Sequence, residues 1–344
     1  MTPVRELRHR LRRLREALSM KGVKALCVCK EEDLFYLSGA KTGRILVTPD
    51  EAVLWVKEPY ASEYGRLYGS RGYPLDVREY KRDSLRKALM GMRLRRIHVD
   101  DVSLDYGEYL SNAVGKRVEY SEMMKDVRAV KSRYEVDCIR KACSIAKAGM
   151  RKARETVDSG VRELDAVAEI EAELRRRGSI KPPFGGGMLL ASGRGSSNIH
   201  AEARLRKIGR GLVVVDLGAV YGGYYSDTTR TFAVDPTKEE REMMKFVRSV
   251  ELDTIGMIRC GMKVHEVYDF IDGMFKEKGL RQYHLPGHGV GLEIHENPSL
   301  TPKSRVILEK NMTFTIEPGV YSPGRYGVRF EDTILVDKKA RTLT

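Results

Sequence analysis

Acidic residues recur in this chain as two mirrored pairs, each in a β-rich run that doubles back on itself, with the runs displaced by 101 residues. The first run is Gly211-Leu-Val-Val-Val-Asp216-Leu-Gly-Ala-Val-Tyr-Gly-Gly-Tyr-Tyr-Ser-Asp227-Thr-Thr-Arg-Thr-Phe-Ala-Val234. Two strand-forming halves flanking Tyr221-Gly222-Gly223-Tyr224 predict an antiparallel hairpin. Asp216 and Asp227 are equidistant from the Tyr221/Gly222 midpoint, so a simple register sets them opposite each other, Cα atoms about 4.5–5.5 Å apart. The second pair is symmetric about Gly324: Glu317 in Met312-Thr-Phe-Thr-Ile-Glu-Pro-Gly319 and Glu331 in Gly327-Val-Arg-Phe-Glu-Asp-Thr-Ile-Leu-Val336. A bulge would shift either register without separating the acids.

Four carboxylates gathered inside strands repel one another, and an unpaired buried charge costs several kcal/mol or is neutralised by a pKa shift. Two divalent cations balance all four. Oxygen ligands with one or two imidazoles suit Mn, Co, Zn or Fe in a two-metal hydrolase, whose ions lie about 3.5–4 Å apart. The imidazoles are at hand: the segment His284-Leu-Pro-Gly-His288-Gly-Val-Gly-Leu-Glu-Ile-His295-Glu-Asn-Pro298 holds three of the seven histidines, and His200 lies upstream in Ser-Ser-Asn-Ile-His-Ala-Glu.

The offset of 101 extends beyond the acids. Gly160 and Gly261 each close a helical stretch, Gly178 and Gly279 each follow a basic helix end, and Gly218 and Gly319 each follow an acid by two. Helix, Gly, helix, Gly, irregular loop and hairpin therefore occur twice in the same order. This predicts a duplicated α/β unit with one acid-bearing hairpin per half. Capping boxes at Ser132-Arg-Tyr-Glu135 and Thr237-Lys-Glu-Glu240 start the first helix of each half, and Gly261 reads as the C-cap of the second.

The fold class expected is α/β (α+β) in two domains. Residues 1–125 form a small α/β domain, with a first helix striped by Leu7, Leu11, Leu14 and Leu18 and strands at 25–29, 45–48, 52–56 and 96–100; residues 126–344 form the second. The Arg-rich start carries Glu6 and Glu16 within that stripe, which favours a domain helix over a transit peptide. No apolar run reaches the roughly 18 residues that span a bilayer. Five cysteines without framework spacing point to a reducing, cytoplasmic setting, with Cys27 and Cys29 as small buried hydrophobes. His98 reads as structural. The net charge of +14 is dispersed along helices among many Glu and lacks an aromatic-interleaved basic motif. It predicts a solvated, ion-paired surface and no specific nucleic-acid partner.

The set Asp216, Asp227, His288, Glu317 and Glu331 resembles that of the metal-dependent "pita-bread" peptidases, in the Xaa-Pro dipeptidase (prolidase) and aminopeptidase P branch. The likeness spans nearly the whole chain. Leu34-Phe-Tyr-Leu-Ser-Gly39 resembles the family's creatinase-like N-terminal domain, and Ala129-Val-Lys-Ser132 through Ile139-Arg-Lys-Ala142 its interdomain segment. The resemblance implies a C-terminal domain of two pseudo-symmetric halves with a curved antiparallel sheet, and a homodimer. It implies that Asp216 binds one metal ion, that Asp227 and Glu331 bridge two, and that His288 and Glu317 complete the second. Two divalent metal ions, Mn or Co with Zn or Fe as alternatives, would ionise a bridging water to a hydroxide that attacks a polarised carbonyl. Glu317 then serves as the proton acceptor. His295 and His200 match substrate-contacting histidines, His284 another pocket histidine, and Arg329 an arginine that supports the site or pairs with its carboxylates.

The substrate implied is a proline-containing di- or oligopeptide, cleaved before proline and most naturally an Xaa-Pro dipeptide. An aminopeptidase P acting on longer peptides is the alternative, and a metal-free binding protein a third reading that predicts missing ligands. Some prolidases carry an Arg just after the second loop histidine to fix the free carboxylate of a dipeptide. Here the residues are Asn297-Pro-Ser-Leu300, which leaves Arg194, Arg305, Arg329 or an N-terminal-domain cation for that task.

Overall fold

In the computed structural model, which describes residues 2–81, 84–100, 110–182, 184 and 187–344, the chain divides into two compact units, Met1–Arg128 and Ala129–Thr344. The first unit is built on a mixed sheet ordered β4-β3-β2-β1-β5-β6. Its strands are β1 Leu26–Val28, β2 Arg44–Val47, β3 Ala52–Val56, β4 Asp76–Glu79, β5 Arg96–Val99 and β6 Arg117–Tyr120. The leading helix, Val4–Met20, buries Leu7, Leu11, Leu14 and Leu18 as the leucine stripe predicts. Cys27 packs in the core with Leu46, Val53 and Trp55, Cys29 against its edge. His98 faces Glu119, Nε2 to Oε2 3.4 Å, as a structural residue.

The second unit carries an eight-stranded sheet with the path β11-β10-β12-β15-β9-β8-β7, β16 adding to β15, and a separate ribbon β13-β14. Its strands are β7 Leu189–Ser192, β8 Gly211–Tyr221, β9 Tyr224–Val234, β10 His288–Gly289, β11 Glu296–Ser299, β12 Thr313–Ile316, β13 Gly319–Ser322, β14 Tyr326–Arg329, β15 Glu331–Val336 and β16 Ala340–Thr342. All pairings in it are antiparallel.

The repeat is visible in the backbone. Helices Glu163–Arg176 and Val264–Glu277 have both ends offset by 101, and the helices before them end at Thr156 and Met257. Gly160 N–H donates to Ile208 O and Gly261 N–H to Leu308 O; Glu163 N–H donates to Arg206 O and Val264 N–H to Val306 O. Both capping boxes form, at Ser132 and Thr237. Gly261 is not the C-cap: Ile258 is, in an extended conformation, and Gly261 sits in the following turn with φ 92°. Gly160 does the same after Val157, with φ 84°. The left-handed residues just beyond helix ends are Gly178 and Gly279.

Each half has its own apolar core. Val213, Val215 and Leu217 of β8 pack with Ile145, Ile170 and Leu174, while Phe314 and Ile316 of β12 pack with Val250, Ile271 and Phe275. Alternation along these strands sends their other side chains to the opposite face, where the acids lie.

Candidate metal centre

Asp216 on β8 pairs with Thr229 on β9, and Thr229 with Glu331 on β15, so the three form one row across the sheet. Asp227 lies two residues earlier on β9, on the same face, opposite Gly218. Asp216 and Asp227 are therefore diagonal neighbours and not the directly opposed pair expected from their symmetry. The turn is the cause: Tyr221 pairs with Tyr224, and Gly222 and Gly223 both take positive φ, 60° and 91°. A two-residue turn of that kind centres the hairpin one residue later and moves the register by two, which preserves the face because the side-chain period is two. The second hairpin keeps the expected centre, with Ile316 opposite Asp332 and Gly319 opposite Arg329 bracketing Glu317 and Glu331.

His288 enters from β10 beside β12. Its Nδ1 lies 3.2 Å from Gly289 O, and since a carbonyl can only accept, that nitrogen carries the proton. The bare Nε2 points to Asp227 Oδ2 at 3.6 Å and Glu317 Oε1 at 3.3 Å. Burial, with His295 adding, drives the His288 pKa down to about 3, so a lone pair faces carboxylate oxygens. Donor atoms of Asp227, His288 and Glu331 all lie within 4.8 Å of one another. Asp216 Oδ1, Asp227 Oδ1 and Glu331 Oε1 are buried and have no hydrogen-bond partner among the described residues. Burial raises the carboxyls of Asp227 and Glu331 well above their ordinary range, each the more for the acids around it, and lifts Glu317 to about 8. Inward-facing acceptors of this kind are satisfied by divalent cations, so the donor set fits the metal ions that the sequence implies.

Arg329, 3% exposed, is the cation already in place. It donates from Nη2 to Asp216 Oδ2 (2.5 Å), from Nε to Thr229 Oγ1 (3.1 Å), and from Nη1 to Tyr321 Oη (2.8 Å) and Ile199 O (3.2 Å). Thr229 Oγ1 passes its own proton to Glu331 Oε2 at 2.7 Å. Burial opposes the charge of Arg329, but Tyr321, Asp216, Glu317 and Glu331 hold it firmly cationic. Arg329→Met should leave these acids without their counter-charge and lower stability by about 3 kcal/mol or more, read as a shift in denaturant midpoint.

The other histidines stand at the rim. His284 Nδ1–H donates to Leu285 O (2.8 Å), and its Nε2 accepts from the Tyr321 hydroxyl (3.0 Å). Both ring nitrogens are thus engaged, and burial lowers its pKa to about 4. His295 stands edge-on to His288, ring centroids 4.1 Å apart, and is exposed. His200 is exposed too, near enough that its charge would depress the pKa of both His284 and His295.

Several contributors are not evident from the acids alone. Tyr321 links Arg329 to His284, and its place two residues after Gly319 and four after Glu317 is the periodic signal that could have revealed it. A Cβ on Gly319 would lie 2.7 Å from Tyr321 Oη and 2.8 Å from His284 Nε2, so only glycine leaves room for that bond. Lys131, fully buried, binds Glu296 Oε1 at 2.8 Å and fixes the strand that follows His295.

With fold and donor geometry in place, residues 137–338 match metallopeptidase family M24 and residues 10–130 the creatinase/prolidase N-terminal domain. The chain belongs to metallopeptidase family M24, whose members act with divalent metal ions. It is 33% identical to an Xaa-Pro dipeptidase of Pyrococcus horikoshii, over 96% of this chain and 95% of that one. The crystal structure of the prolidase from the same organism superposes with a TM-score of 0.89 at 31% identity, covering 98% of each chain. An Xaa-Pro dipeptidase from Bacillus anthracis gives a TM-score of 0.90 at 27% identity, covering 98% of this chain and 97% of that one. The creatinase-like domain and the curled antiparallel sheet expected from sequence are the folds these structures share. No described helix is long and apolar enough to cross a membrane.

Proposed function

We propose that this protein is a two-metal Xaa-Pro dipeptidase. The observation that carries the reading is the convergence of Asp216, Asp227, Glu317, Glu331 and the bare Nε2 of His288 on one buried spot, with three carboxylate oxygens unpartnered. Asp216 would hold one ion, Asp227 and Glu331 would bridge, and His288 and Glu317 would hold the second. Mn or Co is our assignment, with Zn or Fe compatible with the same donors. When bound, the ions would supply a water ionised near neutral pH and polarise the scissile carbonyl.

The protein's own groups do the rest. Glu317 accepts the proton of the attacking water and passes it to the leaving proline nitrogen; Thr315 Oγ1, 3.2 Å from Glu317 Oε1, orients that carboxylate. His295 and His200 contact the peptide and steady the charge that develops on the carbonyl oxygen. His284 lines the pocket with its ring locked by Tyr321 and Leu285. Arg329 has four of its five N–H donors on protein acceptors, so we assign it to positioning Asp216 and leave the substrate carboxylate to Arg194, Arg305 or another cation. A homodimer in a reducing, cytoplasmic compartment accords with the resemblance and with five free cysteines.

The deciding experiment compares hydrolysis of an Xaa-Pro dipeptide with that of an Xaa-Pro-Yaa tripeptide, by chelator-stripped protein restored with Mn or Co. We expect preference for the dipeptide by at least about tenfold in kcat/KM, because a buried or oriented cation discriminates strongly for a free carboxylate. Preference for the tripeptide would make it an aminopeptidase P. That second reading draws on the absence of an arginine at Asn297-Pro-Ser-Leu300.

A further inference from the structure

The face of the sheet turned away from the acids carries a second cavity. It is a cleft of about 330 Å³, lined by Lys147, Arg151 and Arg154 of helix Arg133–Thr156 and by Arg230, Phe232 and Phe330 of the sheet. Along β9, Thr228, Arg230 and Phe232 alternate with Asp227 and Thr229, so the cleft and the metal centre lie on opposite faces. The volume is in the range of small-molecule sites.

Its charge is lopsided. Lys147, Arg151 and Arg154 recur at helical spacing on one face, all three exposed. None has an ion-pair partner within 4 Å among the described residues, whereas on the same helix Arg140 pairs with Asp137 and Lys152 with Glu155. Arg230 forms the fourth corner and is held rigidly: Nη2 to Asp332 Oδ1 at 2.5 Å, Nη1 to Glu331 O at 2.6 Å and to Thr229 O at 2.9 Å. Among the described residues, the carboxylates beside Arg230 are buried and already bound: Asp332 by Arg230 and Arg248, and Glu251 by Arg248, while Thr344, which also lines the cleft, donates its hydroxyl to Asp332. Three cations without an ion-pair partner among the described residues therefore line a concave surface together with Met150, Phe232 and Phe330. Like charges held close in this way raise the local potential, which a multivalent anion relieves.

We propose that this cleft binds a small phosphorylated ligand of the nucleotide class, its phosphates on Lys147, Arg151 and Arg154 and its ring against Phe232 and Met150. Metal ligation and peptide binding use the other face, so the site is independent of the peptidase reading.

The test is calorimetric titration of the full-length protein with ADP and with pyrophosphate at moderate salt. We expect one saturable site for ADP, weakened at least tenfold in the Arg151→Ala/Arg154→Ala double variant. The control is Lys303→Ala/Lys338→Ala, which removes the same charge from two exposed lysines elsewhere, and it should change affinity by less than twofold. Tighter binding of ADP than of pyrophosphate would support the ring contact. Equal weakening by both double variants would reduce the effect to diffuse electrostatics and overturn the proposal, as would pyrophosphate binding without ADP binding or no saturable binding of either. Both pairs lie on exposed positions, and unchanged circular dichroism melts would show that the comparison is between folded proteins.

Discussion

Asp227→Asn is expected to lower kcat/KM for Xaa-Pro hydrolysis by about a thousandfold or more, which corresponds to about 4 kcal/mol of lost transition-state stabilisation. Asn has nearly the shape of Asp, so packing at this 3%-exposed position should survive. The backbone bonds should survive as well, with Asp227 N–H donating to Thr333 Oγ1 and the Thr333 hydroxyl donating to Asp227 O. What changes is charge. The substitution removes one anion from the group of donors that includes His288 Nε2 and Glu331, and it puts an N–H pair where a lone pair was needed. Metal bound per chain, measured by elemental analysis, should fall with activity. A further readout separates ligation from mere structure: in metal-free protein the variant should be more stable than wild type, because one of four crowded carboxylates is gone. Full metal occupancy with full turnover would show that Asp227 bridges nothing.

Stripping the metals should turn the site from a source of stability into a pH-dependent liability. Burial raises Glu317 to about 8 and moves Asp227 and Glu331 in the same direction, well above the ordinary carboxyl range. For a carboxyl whose folded pKa lies above its unfolded value, the native state binds more protons than the unfolded state. Its contribution is complete below the unfolded pKa and is lost as pH rises toward the folded pKa. His284 and His288, lowered to about 4 and about 3, work the opposite way up to about pH 6.5, so the metal-free protein should show its net loss of stability between about pH 6.5 and 8, each such carboxyl contributing on the order of 1 kcal/mol per pH unit across its own window. Saturating Mn or Co should flatten that slope and raise the melting temperature most at the alkaline end, where the vacated carboxylates repel most strongly. Thermal melts of stripped and reloaded protein at about pH 6.5 and 8.5 measure this directly. A stripped protein equally stable at both would mean that the acids are not buried together.

The acids were readable as a set because hairpin symmetry and a 101-residue repeat are one-dimensional properties. Alternation puts Asp216, Asp227 and Thr229 on one side of their hairpin in both the expected and the observed register, because the two differ by an even number of residues. The duplication is equally linear: helix ends at 163–176 and 264–277 and matching glycine turns reproduce it in the fold. The register itself was not readable, since the two turn glycines at positive φ decide whether the hairpin centres on 221.5 or one residue later. Gly261 departs from the expected C-cap position for a similar reason. A glycine three residues past a helix serves a turn as readily as a cap, and only the path of the next helix distinguishes them.

By itself the sequence determined which residues share a face, where the two halves repeat, and that four carboxylates with loop histidines demand cations. Those follow from strand period, chain spacing and the cost of uncompensated charge. Tertiary structure alone decided that Arg329 is committed to Asp216, Thr229, Tyr321 and Ile199, that His288 carries its proton on Nδ1 and turns a lone pair inward, and that Tyr321 locks His284. It also decided that Lys147, Arg151 and Arg154 converge with Arg230 on one cleft. These are contacts between groups up to 130 positions apart, and hydrogen bonds depend on distances of a few tenths of an ångström that no periodicity encodes.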